Sequence, residues 1–310
     1  MKKYEKEVAQ IILDHELDHE KEVLDLLKDN YAAAIAEVKE KIAILSVVDE
    51  GLQSKIYQRQ YQERLYNILT EILDRLNRKN YNSIEEYLKD ISEDSFLGAI
   101  YSLHKQKVPV MIMLEERIIA NIINTPVDGI KLSERLYKNT QQLKKNVVAE
   151  LSRGFSTGKS YQEMAKKLSN KLTSPFSPSY NQALRIARTE GARVNNATAF
   201  EAMKKAKELG LDIVKQWDST LDKKTRPHHR QLDGKTKEIE EYFEIAEHKA
   251  LHPCSFGIAS EDINCRCFAL MRVRSALNDD YTKWDGENNK LIRLKASQNY
   301  QDWKEIYLHG

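Results

Sequence analysis

From residue 4 to about 49 the chain repeats apolar side chains at helical spacing, among them Val8, Ile11, Ile12, Leu24, Leu26, Leu27, Ile35, Val38, Ile42 and Leu45, in a background of Glu and Lys. A stripe of this period buries one face of a helix and leaves the other to water, so the pattern predicts a long amphipathic helix. Similar stripes cover 52–78, 83–103, 110–123 and 132–153, with breaks expected at Gly51, Asn80, Val108-Pro109 and Pro126. Ser83-x-x-Glu86 has the form of a capping box and places a helix start there.

A second capping box, Ser160-x-x-Glu163, announces a helix that ends before Ser174-Pro175-Phe176-Ser177-Pro178. Two prolines remove backbone donors and favour extended neighbours, so this stretch is expected to be an extended connection and the domain boundary. An Ala-rich helix over 180–209 follows, stopped by Gly210. Beyond it the period changes, and LDIVKQW (211–217) and CFALMRV (267–273) are expected as short strands. The expected fold is mainly α: an elongated α-helical N-terminal region over 1–174, then a small α+β C-terminal domain with a few short strands over 175–275. Residues 276–310 are expected as an appended tail.

Gly (11) and Pro (6) are scarce in 310 residues, which argues against all-β, collagen-like and disordered chains. No stretch approaches the roughly 18 apolar residues of a membrane span, mean hydropathy is −0.62, and MKKYEKEVAQ lacks the apolar run of a secretion signal. Transmembrane and secreted readings are therefore not expected. A net charge of +2 says nothing about nucleic acid by itself. Locally, Lys204–Lys237 holds ten Lys or Arg against five Asp or Glu, which makes Lys223, Lys224, Arg226 and Arg230 candidates for phosphate-backbone contact, with solvated surface as the alternative.

His15-Glu16-Leu17-Asp18-His19 fits the H-E-x-x-H zinc-protease pattern, but its charged surroundings read as a solvated helix face. Gly154-x-x-x-Gly158-Lys159-Ser160 is one residue short of a phosphate-binding loop and follows a helix rather than a strand, so it is expected to be a helix-to-helix turn. Arg188-Thr189-Glu190, with Arg193 and Asn196, predicts a buried ion-pair network joining this helix to the following sheet. Thr225-Arg226-Pro227-His228-His229 through Gly234 reads as a short helix capped by Thr225.

The three cysteines, Cys254, Cys265 and Cys267, lie within 14 residues, an odd number that does not suit a secreted disulfide framework. A tetrahedral structural zinc could be closed by His229, Cys265, Cys267 and one of Cys254, His252 or His228. The competing reading is a small core of reduced thiols with His229 bonded to backbone. A zinc deaminase does not fit, since Gly257 stands where its second cysteine would be.

Taken in order, Arg188-Thr189-Glu190, Trp217, Asp222, Thr225-Arg226-Pro227-His228-His229-x-x-Leu232-Asp233-Gly234 and Asn264-Cys265-Arg266-Cys267 resemble the signature of the phage minor head proteins of the Mu F-like head-morphogenesis family, over about residues 150–273. The resemblance places the family's histidine on His229 and its cysteine pair on Cys265 and Cys267. Cys254 is the expected fourth metal ligand, and Arg188, Glu190, Trp217, Asp222 and Asp233 form the expected structural network. It implies a non-enzymatic protein made in the host cytoplasm and then carried in the virion, inside the head near the portal. Its implied partners are portal and capsid or scaffold proteins, with packaged DNA a further one, and no small-molecule substrate is expected. Two competing classes remain: a nuclease or toxin-like hydrolase using His228 or His229 with Asp222, Asp233 or a metal, and a non-catalytic DNA-binding protein.

Overall fold

The computed structural model describes residues 2–49, 55–108, 110, 112–113, 115–126, 129–170, 174–285 and 290–294. In chain order they form α1 (Lys2–Asp49), α2 (Lys55–Lys105), α3 (Glu116–Asn124), α4 (Leu132–Ser156), α5 (Tyr161–Ser169) and α6 (Phe176–Glu208). Then follow β1 (Ile213–Asp218), α7 (Pro227–Leu232), β2 (Thr236–Lys237), β3 (Phe243–Ile245), β4 (His248–Ala250), α8 (Ala259–Asp262), β5 (Phe268–Val273), β6 (Tyr281–Asp285) and β7 (Lys290–Leu294). A long helical region is thus followed by a small domain with short antiparallel strands, as the hydrophobic periods predict. Among the described residues no helix is long and apolar enough to cross a membrane.

The helical stripes differ from expectation at three places, each for a local reason. α2 runs through Asn80 and the Ser83-x-x-Glu86 box without a break. Asn80 is buried, and Asn30 of α1 donates from Nδ2 to Asn80 Oδ1 at 3.2 Å and to Ser83 Oγ at 3.4 Å. Side chains that would stop an isolated helix are engaged by a neighbouring one. The helix expected from 110 starts only at Glu116, because Lys205 Nζ holds the Met113 carbonyl at 3.0 Å, His104 Nε2 lies 2.9 Å from that of Val110, and Val110 and Ile112 pack on the core. Finally, the expected extended stretch at 174–178 is the start of α6. Ser174 Oγ accepts from Phe176 N at 3.2 Å, and Pro178 sits in the first turn, where its missing N–H would have had no helical acceptor. The breaks at Gly51 and Pro109 lie outside the described residues.

The Gly154–Ser160 segment is the turn expected of it. Gly158 has φ +67°, and Ser160 caps α5 in a complete capping box with Glu163.

The chain packs as two compact units, neither continuous in sequence. One comprises 21–86 and 130–187. It buries Leu27 and Ile42 of α1, Leu65 and Leu73 of α2, Leu143, Val147 and Leu151 of α4, and Met164 and Leu168 of α5. Lys144 of α4 reaches Asp74 Oδ1 at 2.6 Å within it.

The other unit comprises 1–20, 87–129 and 188–310. The two strands expected from sequence are its centre. β1 and β5 pair antiparallel from Ile213↔Val273 to Asp218↔Phe268, and β2 adds to the other edge of β1. Phe96, Leu103, Phe200, Met203, Ile213 and Met271 form one cluster; Trp217, Leu232, Phe243, Phe256, Cys254, Cys265 and Cys267 form a second. Part of the expected appended tail belongs to this unit: β6 and β7 form a hairpin, and its Lys283 is 1% exposed, between Asp218 and Asp233. A lysine amid polar neighbours gives no sign in sequence that it will be buried, because its partners lie far upstream.

In this unit the Tyr87 side chain of α2 lies against the backbone of α6 at Gly191. A Cβ built on Gly191 would stand 2.2 Å from Tyr87 Oη and 2.8 Å from its ring. A Cβ on Gly154, in the other unit, would meet only the flexible Met164 thioether. Gly191→Ala is therefore expected to cost about 1–3 kcal/mol and Gly154→Ala less. Denaturant midpoints of the two variants, compared with the parent, check the order.

Candidate metal centre

α7 is a helix of six residues between β1 and β2, with Pro227 in its first turn and Gly234 at φ +76° just beyond its end. That left-handed glycine turns the chain back so that Gly234 N donates to Trp217 O and Trp217 N to Lys235 O, both at 2.9 Å. His229 is thereby aimed inward, 1% exposed, with the Trp217 ring edge-on at 5.4 Å. Thr225 does not cap this helix as expected. Its hydroxyl donates to Thr220 O at 2.6 Å and closes the preceding turn, so the cap position falls to Arg226.

His229, Cys265 and Cys267 are all buried, and one ligand atom from each lies within 4.8 Å of the others, so this group could hold a metal ion. His229 Nδ1 is 3.3 Å from Cys267 Sγ and 3.6 Å from Cys265 Sγ. Its other nitrogen, Nε2, is 3.0 Å from Glu261 Oε2 of α8. A carboxylate behind an imidazole whose other nitrogen faces the ligand position fixes ring orientation and tautomer, a usual accompaniment of metal sites. Sequence reasoning missed Glu261, because no spacing rule links α8 to α7. Cys254, the expected fourth ligand, packs in the same hydrophobic cluster and is held at φ +64°, but it is not among the three residues whose ligand atoms come within 4.8 Å of one another. Asn196 Nδ2 approaches its sulfur at 4.0 Å. Thiol contact with Cys254 raises Cys265 well above its ordinary pKa, and burial does the same for Cys267. Without a cation, both are neutral thiols at neutral pH.

The other two candidate ligands stand apart. His228 is exposed, with Nδ1 3.8 Å from Glu261 Oε1. His252 Nδ1 is 2.8 Å from Pro253 O, and the ring lies on Phe200 at 5.3 Å.

The remaining motif residues hold this cluster in place. Asp222 accepts from Lys224 N and Thr225 N at 2.9 Å and takes the Arg266 guanidinium two-pronged, through Nη2 at 2.9 Å and through Nη1. Arg226 donates to Ile263 O, and Thr220 Oγ1 to Arg266 O at 2.5 Å. From α6, Thr189 Oγ1 accepts from Asn264 N at 3.2 Å, while Asn196 donates to Cys267 O and accepts from Ala269 N, both at 2.9 Å. The ion pair expected to join α6 to the sheet has a different end. Arg193 Nε binds Glu190 at 3.0 Å, but its Nη1 donates to Ile122 O at 2.7 Å, at the end of α3, and the connection to the sheet is made by Asn196. Arg188 is an exposed partner of Glu20 at 3.1 Å.

Of the basic candidates, Lys223 and Lys224 are exposed, whereas Arg226 and Arg230 are half-buried with guanidinium groups on the Ile263 and Lys223 carbonyls. Elsewhere in the basic window, Lys204, Lys205 and Lys207 pair with Glu201, Glu115 and Glu238. Lys215 is buried over the rings of Phe200 and Phe243, donates to Ile239 O at 2.7 Å, and is pushed down to about 8 by burial. Of the H-E-x-x-H pattern, His19 meets Asp94 at 3.1 Å, while the side chains of His15 and Glu16 lie outside the described residues.

Burial works to raise the Asp222 pKa, but the Arg266 guanidinium and the Thr225 groups outweigh it and hold it below the usual carboxylate range. Its stabilisation is therefore complete above about pH 4 and lost as pH falls through the lowered folded value. Asp222→Asn is expected to cost about 1–2 kcal/mol at pH 7, a figure discounted because Arg266 is 44% exposed, and progressively less as pH falls through the lowered folded value. Urea titrations at a series of pH values from 7 downwards check the convergence.

Residues 145–270 match the family described as Phage Mu protein F like protein. The chain is 25% identical over 247 residues to the minor head protein GP7 of Bacillus phage SPP1, a match covering 71% of this chain and 79% of that protein. It is 35% identical over 280 residues to a protein of Enterococcus faecalis named NAD(+)–arginine ADP-ribosyltransferase EFV. That match covers 88% of this chain, which spans 55% of the Enterococcus protein's length. No solved structure matches the chain.

Proposed function

Residues 145–270 belong to the Phage Mu F-like family, and on that premise we propose that the chain is a minor head protein acting in head morphogenesis at the portal, assisting the packaging or delivery of DNA. The observation that carries the reading is how the motif residues are engaged. His229 lies between Glu261 and two thiols, Asp222 is clamped by Arg266, and Asp233 is bound by Ser219 N and Lys283. The groups a hydrolase would need are tied up in holding loops together, which suits a structural part and not a nuclease. In this reading the helical region 1–174 provides contact area for portal and capsid or scaffold proteins. The protein is made in the host cytoplasm and ends in the head near the portal, where exposed Lys223 and Lys224 are the candidates for touching DNA. Co-purification with portal protein from infected or induced cells tests this; a chain absent from both portal complexes and purified virions would overturn it.

Zinc is the metal we assign to the cluster, held by His229, Cys265 and Cys267 with Cys254 as the fourth ligand. Three sulfurs and one imidazole suit it, and a closed four-ligand site would staple the loops rather than activate water. Purified protein is expected to carry about one zinc equivalent, lost in Cys265→Ser with Cys267→Ser together with a fall in melting temperature of about 5 °C or more. A stably folded, zinc-free parent reduces the cluster to packed thiols.

The relation to the Enterococcus protein favours a second reading, arginine ADP-ribosyl transfer. Since this chain spans only 55% of that protein yet matches 79% of a minor head protein, we assign the shared part to the head module. Incubation with labelled NAD and an arginine-rich acceptor is expected to transfer no label above background; transfer would establish the enzyme.

A further inference from the structure

The β6–β7 hairpin lies beyond the 145–270 match, yet it delivers a cation into the centre of the matched domain. Lys283 Nζ is 2.8 Å from Asp218 Oδ1 and also binds Asp233 Oδ1, and all three residues are buried. These two aspartates are not peripheral. Asp218 follows Trp217, whose ring flanks His229, and Asp233 ends α7, which carries His229. Asp233 Oδ1 also accepts from Ser219 N at 2.7 Å, and Ser219 Oγ donates to His229 O at 2.7 Å and accepts from Trp217 Nε1 at 3.1 Å.

The hairpin itself is a sheet of two strands, which is marginal alone, so its position depends on side chains. Apart from Lys283, Leu294 and Ile292 pack on Leu221. Burial and the neighbouring Asp233 disfavour the charged Asp218 carboxylate, and the Lys283 ammonium opposes them first, with Arg272 a weaker second cation. A buried pair of carboxylates that loses its bound cation is strongly unfavourable, whereas a complete set is tolerated.

We propose that the β6–β7 hairpin is a clasp in which Lys283 locks residues 217–219 to 233, and that its opening is the step that loosens the frame around His229 and lets a bound metal leave. The metal part of this inference rests on the zinc reading above; the clasp itself does not. With the hairpin seated, the amides of 213–235 are protected and metal exchange is slow. With it displaced, Asp218 and Asp233 repel, and the β1–α7 connection opens around Ser219.

The test is hydrogen–deuterium exchange on the full chain, with Lys283→Met and the double variant Asp218→Asn, Lys283→Met. Lys283→Met is expected to raise exchange in 213–235 by about tenfold or more while leaving 132–169 unchanged. The double variant, with one carboxylate fewer, is expected to recover much of the protection. Zinc-loaded parent and variants, mixed with a chromogenic chelator, should release zinc in the same order. Increased exchange confined to 281–294 would overturn the clasp, as would a double variant as open, or as unfolded, as the single one. A parent that binds no zinc ends the metal reading, and the exchange order still decides the clasp.

Discussion

Asn196 presents one amide to two backbone groups at the start of β5, donating to Cys267 O and accepting from Ala269 N. The rest of the unit depends on that pairing. It fixes where β5 enters the sheet, hence its register with β1, which carries Trp217 and Asp218. It also fixes Cys267, and through the short Asn264–Cys267 loop Cys265, against His229. A buried amide meets its hydrogen-bonding demand here by standing in for a neighbouring strand, and any shift of β5 would leave it and two backbone groups unpaired in a dry interior. Thr189, two turns earlier on α6, binds Asn264 N, so one helix face holds both ends of the loop.

Around this frame the charged residues act as connectors between segments remote in sequence. Asp222 joins Arg266, Arg226 joins Ile263, Arg193 joins the end of α3, and Lys283 joins β1 to α7. The basic window at 204–237 shows why counting charges along a chain misleads. Three of its lysines find carboxylates outside the window, at Glu201, Glu115 and Glu238, and a fourth is buried under aromatic rings. Near α7 itself Lys223, Lys224 and Lys235 are exposed, while Arg226 and Arg230 are half-buried on backbone carbonyls.

The helical stripes, the β1 and β5 strands, the Ser160 capping box and the His229, Cys265 and Cys267 cluster were legible because each is written in local spacing or residue type. What was not legible is what depends on a remote partner. Asn80 and Ser83 carry a strong helix-stop signal that Asn30 cancels. Ser174 through Pro178 carry a linker signal that also fits a helix start, since proline is acceptable in a first turn. Glu261 and Lys283 are ordinary charged residues in sequence; tertiary contact alone turns one into the support of an imidazole and the other into a buried cation.

That division bears on how a motif of histidine, cysteine, aspartate and arginine should be interpreted. The same residue types serve catalysis when one partner is left to meet a substrate, and serve architecture when each partner is matched within the fold. Here His229 is 1% exposed with both ring nitrogens facing protein atoms, and Asp222 receives two backbone N–H groups besides a guanidinium. An order of residues spread over some eighty positions is then what a small domain with few strands needs to close its loops, since its sheet of three strands supplies little backbone pairing of its own. Where such a domain cannot grow a larger core, polar cross-links and a Cys/His cluster take over the task of defining one structure.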